Sequence, residues 1–377
     1  MKKVILIPDS FKGTLSSGQI CRIMEKKVKE YFPKCEAVKV PVADGGEGSV
    51  DCFLAAVGGE KKRVMVKGPY MEEMEAFYGI LPDGTAVIEM AACASLPLVE
   101  GRQNPEKTTT YGVGQLMLDA AESGCKKIVV GLGGSCTNDA GAGAAAAAGI
   151  RFYDASGTAF IPTGGTLKKV VRISLESMDE RLKKIPVVTM CDIDNPMYGK
   201  SGAAYIFAPQ KGADEDMVRN LDDNLKKFAA VIEKETGKDV SQIPGGGAAG
   251  AMGAGMVAFF GSQLQMGIET VLDTINFDEM IKDADMIFTG EGKMDTQSLR
   301  GKVVIGVGKR AKEQKIPVTV VAGGAGSGIE DAYDMGISAI FTINRMPEDF
   351  SVSRYKSEEN MELTMDNIMR FVKAVTH

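Results

Sequence analysis

The sequence predicts an α/β protein of two α/β domains. One is expected to be Rossmann-like, with a parallel sheet built from both chain ends, and the second to be inserted within it, with a ligand cleft between them. Three observations carry this expectation. Short apolar runs alternate with helical segments near both termini, at the spacing of parallel β-α units. Between them, three strand-like runs are joined by turn signals that suit antiparallel pairing. The 377 residues suffice for two domains at roughly 150 residues each. The expected division is 1–62 with 270–377 for the Rossmann-like domain and 63–269 for the insertion.

Val4-Ile5-Leu6-Ile7 is a buried strand, closed by Pro8-Asp9. A helix follows from about Ser17 to Tyr31, with Ser16 or Ser17 as its N-cap. A second strand lies near Ala37–Pro41 and runs into Val42-Ala43-Asp44-Gly45-Gly46-Glu47-Gly48. Arg63–Val66, Ala76–Leu81 and Ala86–Met90 read as antiparallel strands, with Pro82-Asp83-Gly84 turning between the last two. Next come a helix over 111–123, a strand over 127–131, a Gly/Ala helix over 140–149, a strand over 186–190 and an acidic helix near 214–234. The C-terminal part resumes the β-α rhythm, with strands at 286–289, 317–322 and 338–343, a helix at 303–315 and an amphipathic helix at 358–375.

Composition narrows the chemistry. Lys and Arg number 44 against 50 Asp and Glu, a net charge of −6 without a basic tract, so no nucleic-acid partner is expected. Seven cysteines form no C-x-x-C pair, which argues against a disulfide framework or a zinc knuckle. The single histidine is His377, so acid–base work falls to carboxylates, lysines, tyrosines or thiols. The apolar run at 4–7 is too short for a signal sequence, and a cytoplasmic location is expected. The charge-free stretch Ser241–Ile268 is mostly small residues and reads as a packed, buried helix rather than a membrane span.

Glycine makes up 45 of the 377 residues, against roughly 7% in average proteins, and it clusters in loops. Open parallel sheets bind ligands beyond the carboxyl ends of their strands, so loops after strands are the candidates. Asp9-Ser10-Phe11-Lys12-Gly13 offers a lysine and an aspartate, although a capped surface turn explains it equally. Asp44-Gly45-Gly46-Glu47-Gly48 pairs two acids with close-approach glycines. Gly131-Leu132-Gly133-Gly134-Ser135-Cys136-Thr137-Asn138-Asp139 is the richest, with the composition of an anion cradle. Close helix–sheet packing accounts for the alanines beyond it but not for Ser135, Thr137, Asn138 and Asp139. Cys191-Asp192-Ile193-Asp194-Asn195-Pro196 suits a hard cation or an Asx turn. Gly290-Glu291-Gly292-Lys293-Met294-Asp295 suits a metal with phosphate. Gly245, Gly247 and Gly250 spell G-x-G-x-x-G, but no convincing strand precedes them and helix packing is the better explanation. Pro209-Gln210-Lys211-Gly212 presents a further cation or a surface turn.

Anion-binding glycines, carboxylates and lysines without a histidine base form the kit of phosphoryl transfer. Six blocks, in order, go further: Pro8–Lys12, Pro41–Gly48, Gly133–Asp139, Cys191–Pro196, Pro209–Ala213 and Gly290–Ser298. Together they resemble the bacterial class I glycerate kinase family over essentially the whole chain. Ala140 and Ala208 stand where that family's pattern has Gly, and the stretch after Gly323 is shortened.

The resemblance implies a two-domain α/β kinase that transfers the ATP γ-phosphoryl group to D-glycerate with Mg²⁺, giving 2-phosphoglycerate, with 3-phosphoglycerate as the alternative. On that footing Lys12, Asp192 and Asp295 are the expected catalytic residues. Asp192, Glu291 and Asp295 are the expected metal ligands. Asp9, Ser10, Asp44, Gly45, Gly46, Gly133, Gly134, Ser135, Thr137, Asn138 and Lys211 are expected to bind substrate or phosphate. The partners are ATP and D-glycerate, with no membrane, in a monomer or a homodimer. A nicotinamide-dependent hydroxyacid dehydrogenase using Gly245–Gly250 is the rival chemistry, and a non-catalytic two-domain binding protein is the rival class.

Overall fold

The computed structural model describes residues 1–42 and 45–376. Its contacts divide the chain into two compact units. The first comprises Met1–Ala43, Ala55–Val57 and Met266–His377; the second comprises Asp44–Leu54 and Gly58–Gln265.

The first unit is built on a parallel sheet of five strands, in the order Ile337–Thr342, Val318–Ala322, Met286–Gly290, Lys3–Pro8, Glu36–Lys39. Val4 through Ile7 are fully buried, as an unbroken apolar run in a sheet covered on both faces requires. The helix Ser17–Tyr31 starts with a capping box, in which Ser16 and Gln19 each satisfy the other's backbone N–H. Its buried stripe of Ile20, Met24 and Val28 shares a core with Met361, Met365 and Met369 of the helix Ser357–Val375.

The second unit carries a six-stranded mixed sheet, ordered Gln263–Gln265, Val187–Met190, Lys127–Gly131, Thr85–Glu89, Glu73–Ile80, Glu60–Lys67. The last three pair antiparallel and the remaining pairs are parallel. Phe152, Phe228 and Phe259 meet in its core, with ring centroids 5.7–6.3 Å apart.

Several expectations need correction. The junction expected at 62/63 falls inside the strand Glu60–Lys67, which pairs along its length with Glu73–Ile80 and so belongs whole to the second unit. The junction at 269/270 likewise falls inside the helix Gly267–Thr274. The charge-free stretch 241–268 is not one helix. It holds the helix Ala248–Phe260 and the short strand Gln263–Gln265, and the helix Gly267–Thr274 begins within it. The helix Ser49–Val57 and a small sheet of Arg151–Tyr153, Ala159–Phe160 and Arg172–Ser174 were not legible in the pattern.

The G-x-G-x-x-G run does act in packing. It follows no strand, and Gly250, at φ +66°, lies so close to the chain at Thr137–Asn138 that an added Cβ would sit 2.0 Å from the Thr137 carbonyl oxygen. No helix among the described residues is long and apolar enough to cross a membrane.

Candidate active site

Each unit gathers polar loops at the carboxyl edge of its sheet, where parallel strands leave helix-connecting loops. In the first unit, Pro8 and Gly290 are opposite one another on adjacent strands, so the loops that follow them start side by side. The Asp9 N–H donates to the Gly290 carbonyl at 2.8 Å, and the Gly323 N–H, beyond a third strand, donates to the Glu291 carbonyl at 3.0 Å. Gly292 lies against the backbone of Phe11 and Lys12. Asp9, Ser10, Lys12, Glu291 and Asp295 are thereby held on one edge.

Glu291 is the unusual member. It is 6% exposed, and its Oε1 has no hydrogen-bond partner. Burial raises its carboxyl to about 7, while the Ser298 hydroxyl and the Lys302 charge oppose the shift and the charges of Asp9 and Asp295 add to it. Asp295 behaves oppositely. The Gln297 N–H donates to its Oδ1 at 3.0 Å, and with the charges of Lys293 and Lys302 this holds the carboxyl below its ordinary value. The Lys293 ammonium is 3.6 Å from Asp295 Oδ2. Lys12 is exposed.

In the second unit, Gly131 and Met190 are paired on adjacent parallel strands, and Met190 is paired with Gln265 beyond. The Gly-rich loop after Gly131 and the loop carrying Asp192 therefore leave the same edge. Asp192 is exposed. The Gly-rich loop folds onto Gly45–Gly46. The Gly133 N–H donates to the Gly45 carbonyl at 3.1 Å, and a Cβ on Gly133 would sit 2.5 Å from the Gly46 Cα. Asp44 lies outside the described residues.

Several N–H groups in and just beyond this loop are engaged within the protein. Cys136 N–H donates to Ala94, Ala140 N–H to Gly250, and Gly141 and Gly143 N–H both to the Asp139 carboxylate. Asp139 is fully buried and also accepts from Thr110, through N–H at 2.8 Å and Oγ1 at 2.9 Å. Burial raises its pKa despite these donors.

The loop's side chains are the remaining chemistry. Lys211, on the turn Pro209–Lys211, is 2% exposed and donates from Nζ to Ser135 Oγ and to the Thr137 carbonyl, both at 2.7 Å. Burial lowers its pKa to about 8, with the Cys136 and Asp139 charges opposing. Thr137 Oγ1 and both polar atoms of the Asn138 side chain are buried without hydrogen-bond partners. The structure thus joins Ser135, Thr137 and Lys211 around one ammonium, with Asn138 next in the chain.

Sequence reasoning missed one buried acid and the role of another. Asp139 was noticed in its block but not as the organiser of the loop, and no pattern marked its Thr110 partner. Glu89 ends a central strand at 2% exposure, accepts from the Val50 N–H at 3.4 Å, and is raised in pKa by burial. A lone acid closing an apolar run carries no signal of its own.

Among the described residues, no three Asp, Glu, His or Cys side chains converge as a protein-only metal cage. Mg²⁺ rarely needs one, since it keeps waters and takes one or two carboxylates alongside phosphate. Glu291 leaves its Oε1 without a partner, as such a ligand requires, whereas Asp295 Oδ2 stands 3.6 Å from the Lys293 ammonium.

Comparison with known proteins agrees with these features. The model of the glycerate kinase family matches residues 4–373. The chain is 44% identical to the "Glycerate kinase" of Bacillus cereus over 368 residues, 97% of each chain. It is also 44% identical to the "Glycerate 2-kinase" of Escherichia coli K12 over 343 residues, 90% of each. Its fold superposes on the crystal structure of a provisionally named glycerate kinase 2 from Salmonella typhimurium LT2 with a TM-score of 0.88, at 38% identity, covering 100% of this chain and 99% of that one.

Proposed function

Since the chain belongs to the glycerate kinase family, we propose that it transfers the γ-phosphoryl group of ATP to the 2-hydroxyl of D-glycerate, with Mg²⁺, yielding 2-phosphoglycerate and ADP. The observation that carries this reading is family membership over nearly the whole chain, joined to a carboxylate-rich strand edge in one unit and a buried cation in the other. The dehydrogenase reading has no support, because Gly245–Gly250 follows no strand and serves close packing.

In the reaction, the substrate hydroxyl oxygen forms a bond to the γ-phosphorus as the bond to the β–γ bridging oxygen breaks, and the hydroxyl proton must go to a base. Catalysis of this kind is mostly positioning and charge neutralisation. Glu291 and Asp295 are the residues that would hold Mg²⁺, which when bound neutralises charge on the β- and γ-phosphates. Lys12 and Lys293 lie on the same strand edge and supply exposed cations for phosphate oxygens. Asp192 is the second unit's candidate for the hydroxyl proton, being an exposed carboxylate at a strand end.

The test is incubation with ATP, Mg²⁺ and D-glycerate, with the product isomer identified by phosphorus NMR. Asp192→Asn, Asp295→Asn and Lys12→Ala are each expected to lower kcat/KM by about 100-fold or more, equivalent to ~2.7 kcal/mol. Any of the three that turns over normally has no part in the chemistry.

A further inference from the structure

Lys211 is an ammonium almost out of water whose two partners are neutral oxygens. Among the described residues it forms no ion pair. Asp139, the buried acid whose charge acts on it, has its carboxylate occupied by Thr110, Gly141 and Gly143 instead. A buried charge without a counter-ion is costly unless something supplies one. An ammonium has three protons to donate, and two are accounted for. The same short segment leaves Thr137 Oγ1, Asn138 Oδ1 and Asn138 Nδ2 buried and unpartnered. A buried polar atom without a partner is costly, so the cluster as it stands lacks a partner of matching chemistry.

The missing partner has a definable character. It brings one negative charge, for one cation. It brings hydroxyl groups, which donate and accept and so satisfy both ends of a carboxamide. It is not a polyphosphate. A triphosphate calls for several cations, whereas the cluster offers the single Lys211 ammonium, and the Gly133 and Cys136 N–H groups beside it are engaged with Gly45 and Ala94.

We propose that the Lys211–Ser135–Thr137–Asn138 cluster is the acceptor subsite. Lys211 with Ser135 holds the carboxylate of the hydroxy acid, and Thr137 with Asn138 holds its hydroxyls. Lys211 thus determines specificity for an acid over a neutral polyol, and this assignment rests on the kinase reading above. The loop that presents these groups is fixed from behind. Thr108 Oγ1 donates to the Cys136 carbonyl at 2.8 Å, and Gly250 abuts Thr137.

Steady-state kinetics on the intact protein test it. In Lys211→Met, KM for D-glycerate is expected to rise about 30-fold or more while KM for MgATP stays within about threefold, and the preference for D-glycerate over glycerol should largely vanish. Thr137→Val, which keeps the shape and removes only the hydroxyl, should raise KM for D-glycerate about tenfold and serves if Lys211→Met does not fold. A shift in KM for MgATP with that for D-glycerate unmoved would overturn the assignment, as would no shift in either. Calorimetric titration of D-glycerate without nucleotide separates this inference from the kinase reading. Wild-type protein that binds D-glycerate yet leaves ATP intact contradicts the kinase reading alone. Binding that is equally tight in Thr137→Val and wild type contradicts the subsite.

Discussion

At neutral pH the Lys211 ammonium is shut away from water with the Ser135 hydroxyl and the Thr137 carbonyl as its companions, and this has a thermodynamic signature. Its pKa falls from 10.5 to about 8, chiefly through burial, with the charges of Cys136 and Asp139 pulling the other way. Between those values the unfolded chain binds more protons than the folded one, so stability rises with pH. The contribution is fully present above 10.5 and is lost as pH falls through about 8. Urea unfolding of wild type and Lys211→Met from pH 7 to pH 10.5 should therefore diverge in favour of wild type by on the order of 3 kcal/mol. A constant difference would mean that the lysine is solvated or paired. The sequence singled out Ser135, Thr137 and Lys211 as chemistry. It had no means of joining them, because the partners stand 76 residues apart and the lysine sits in what resembles a surface turn.

Secondary-structure elements were legible where their signals are local. Ser16 and Gln19 spell a capping box three residues apart, and the helix begins at Ser17 as expected. The helix Ser49–Val57 has no such signal. Its N-cap is Gly48 at φ +87° with no side-chain bond, and a carboxylate reaches its first turn from Glu89, on a different strand. The Gly-rich loop is legible as a special place, but composition cannot tell which of its N–H groups, such as those of Gly133 and Cys136, are engaged by neighbouring segments. Its glycines answer to close backbone approach. Gly133→Ala would drive a Cβ to 2.5 Å from the Gly46 Cα, where backbone rather than a flexible side chain has to yield. We expect that variant to lose about 1–3 kcal/mol in chemical denaturation, and its activity to fall with the displaced loop. A melting profile identical to wild type would show that the two loops part freely.

At the scale of the molecule, the alternating β-α pattern at both ends was enough to foretell a parallel sheet shared by the termini, because buried parallel strands leave unbroken apolar runs. The junctions were not legible, since they fall where strand pairing decides and composition does not change. The two units differ in continuity. The second is nearly one unbroken span, whereas the first joins the opening residues to the closing ones. A fragment of residues 44–265 should accordingly melt cooperatively on its own, with fixed aromatic signals in near-ultraviolet circular dichroism from the Phe152–Phe228–Phe259 cluster. A broad, non-cooperative melt would count against that autonomy.

The first unit's split has a consequence for biosynthesis. The strand Lys3–Pro8 emerges from the ribosome well before its neighbour Met286–Gly290 and the helix Ser357–Val375. At translation speeds of about 5–20 residues per second, the nascent Val4–Ile7 segment waits roughly 15–60 seconds for the strand that covers its other side. Throughout that interval it is a bare apolar edge of the kind that holdase chaperones recognise. Overproduction in cells short of such help should trap the chain before the sheet can close.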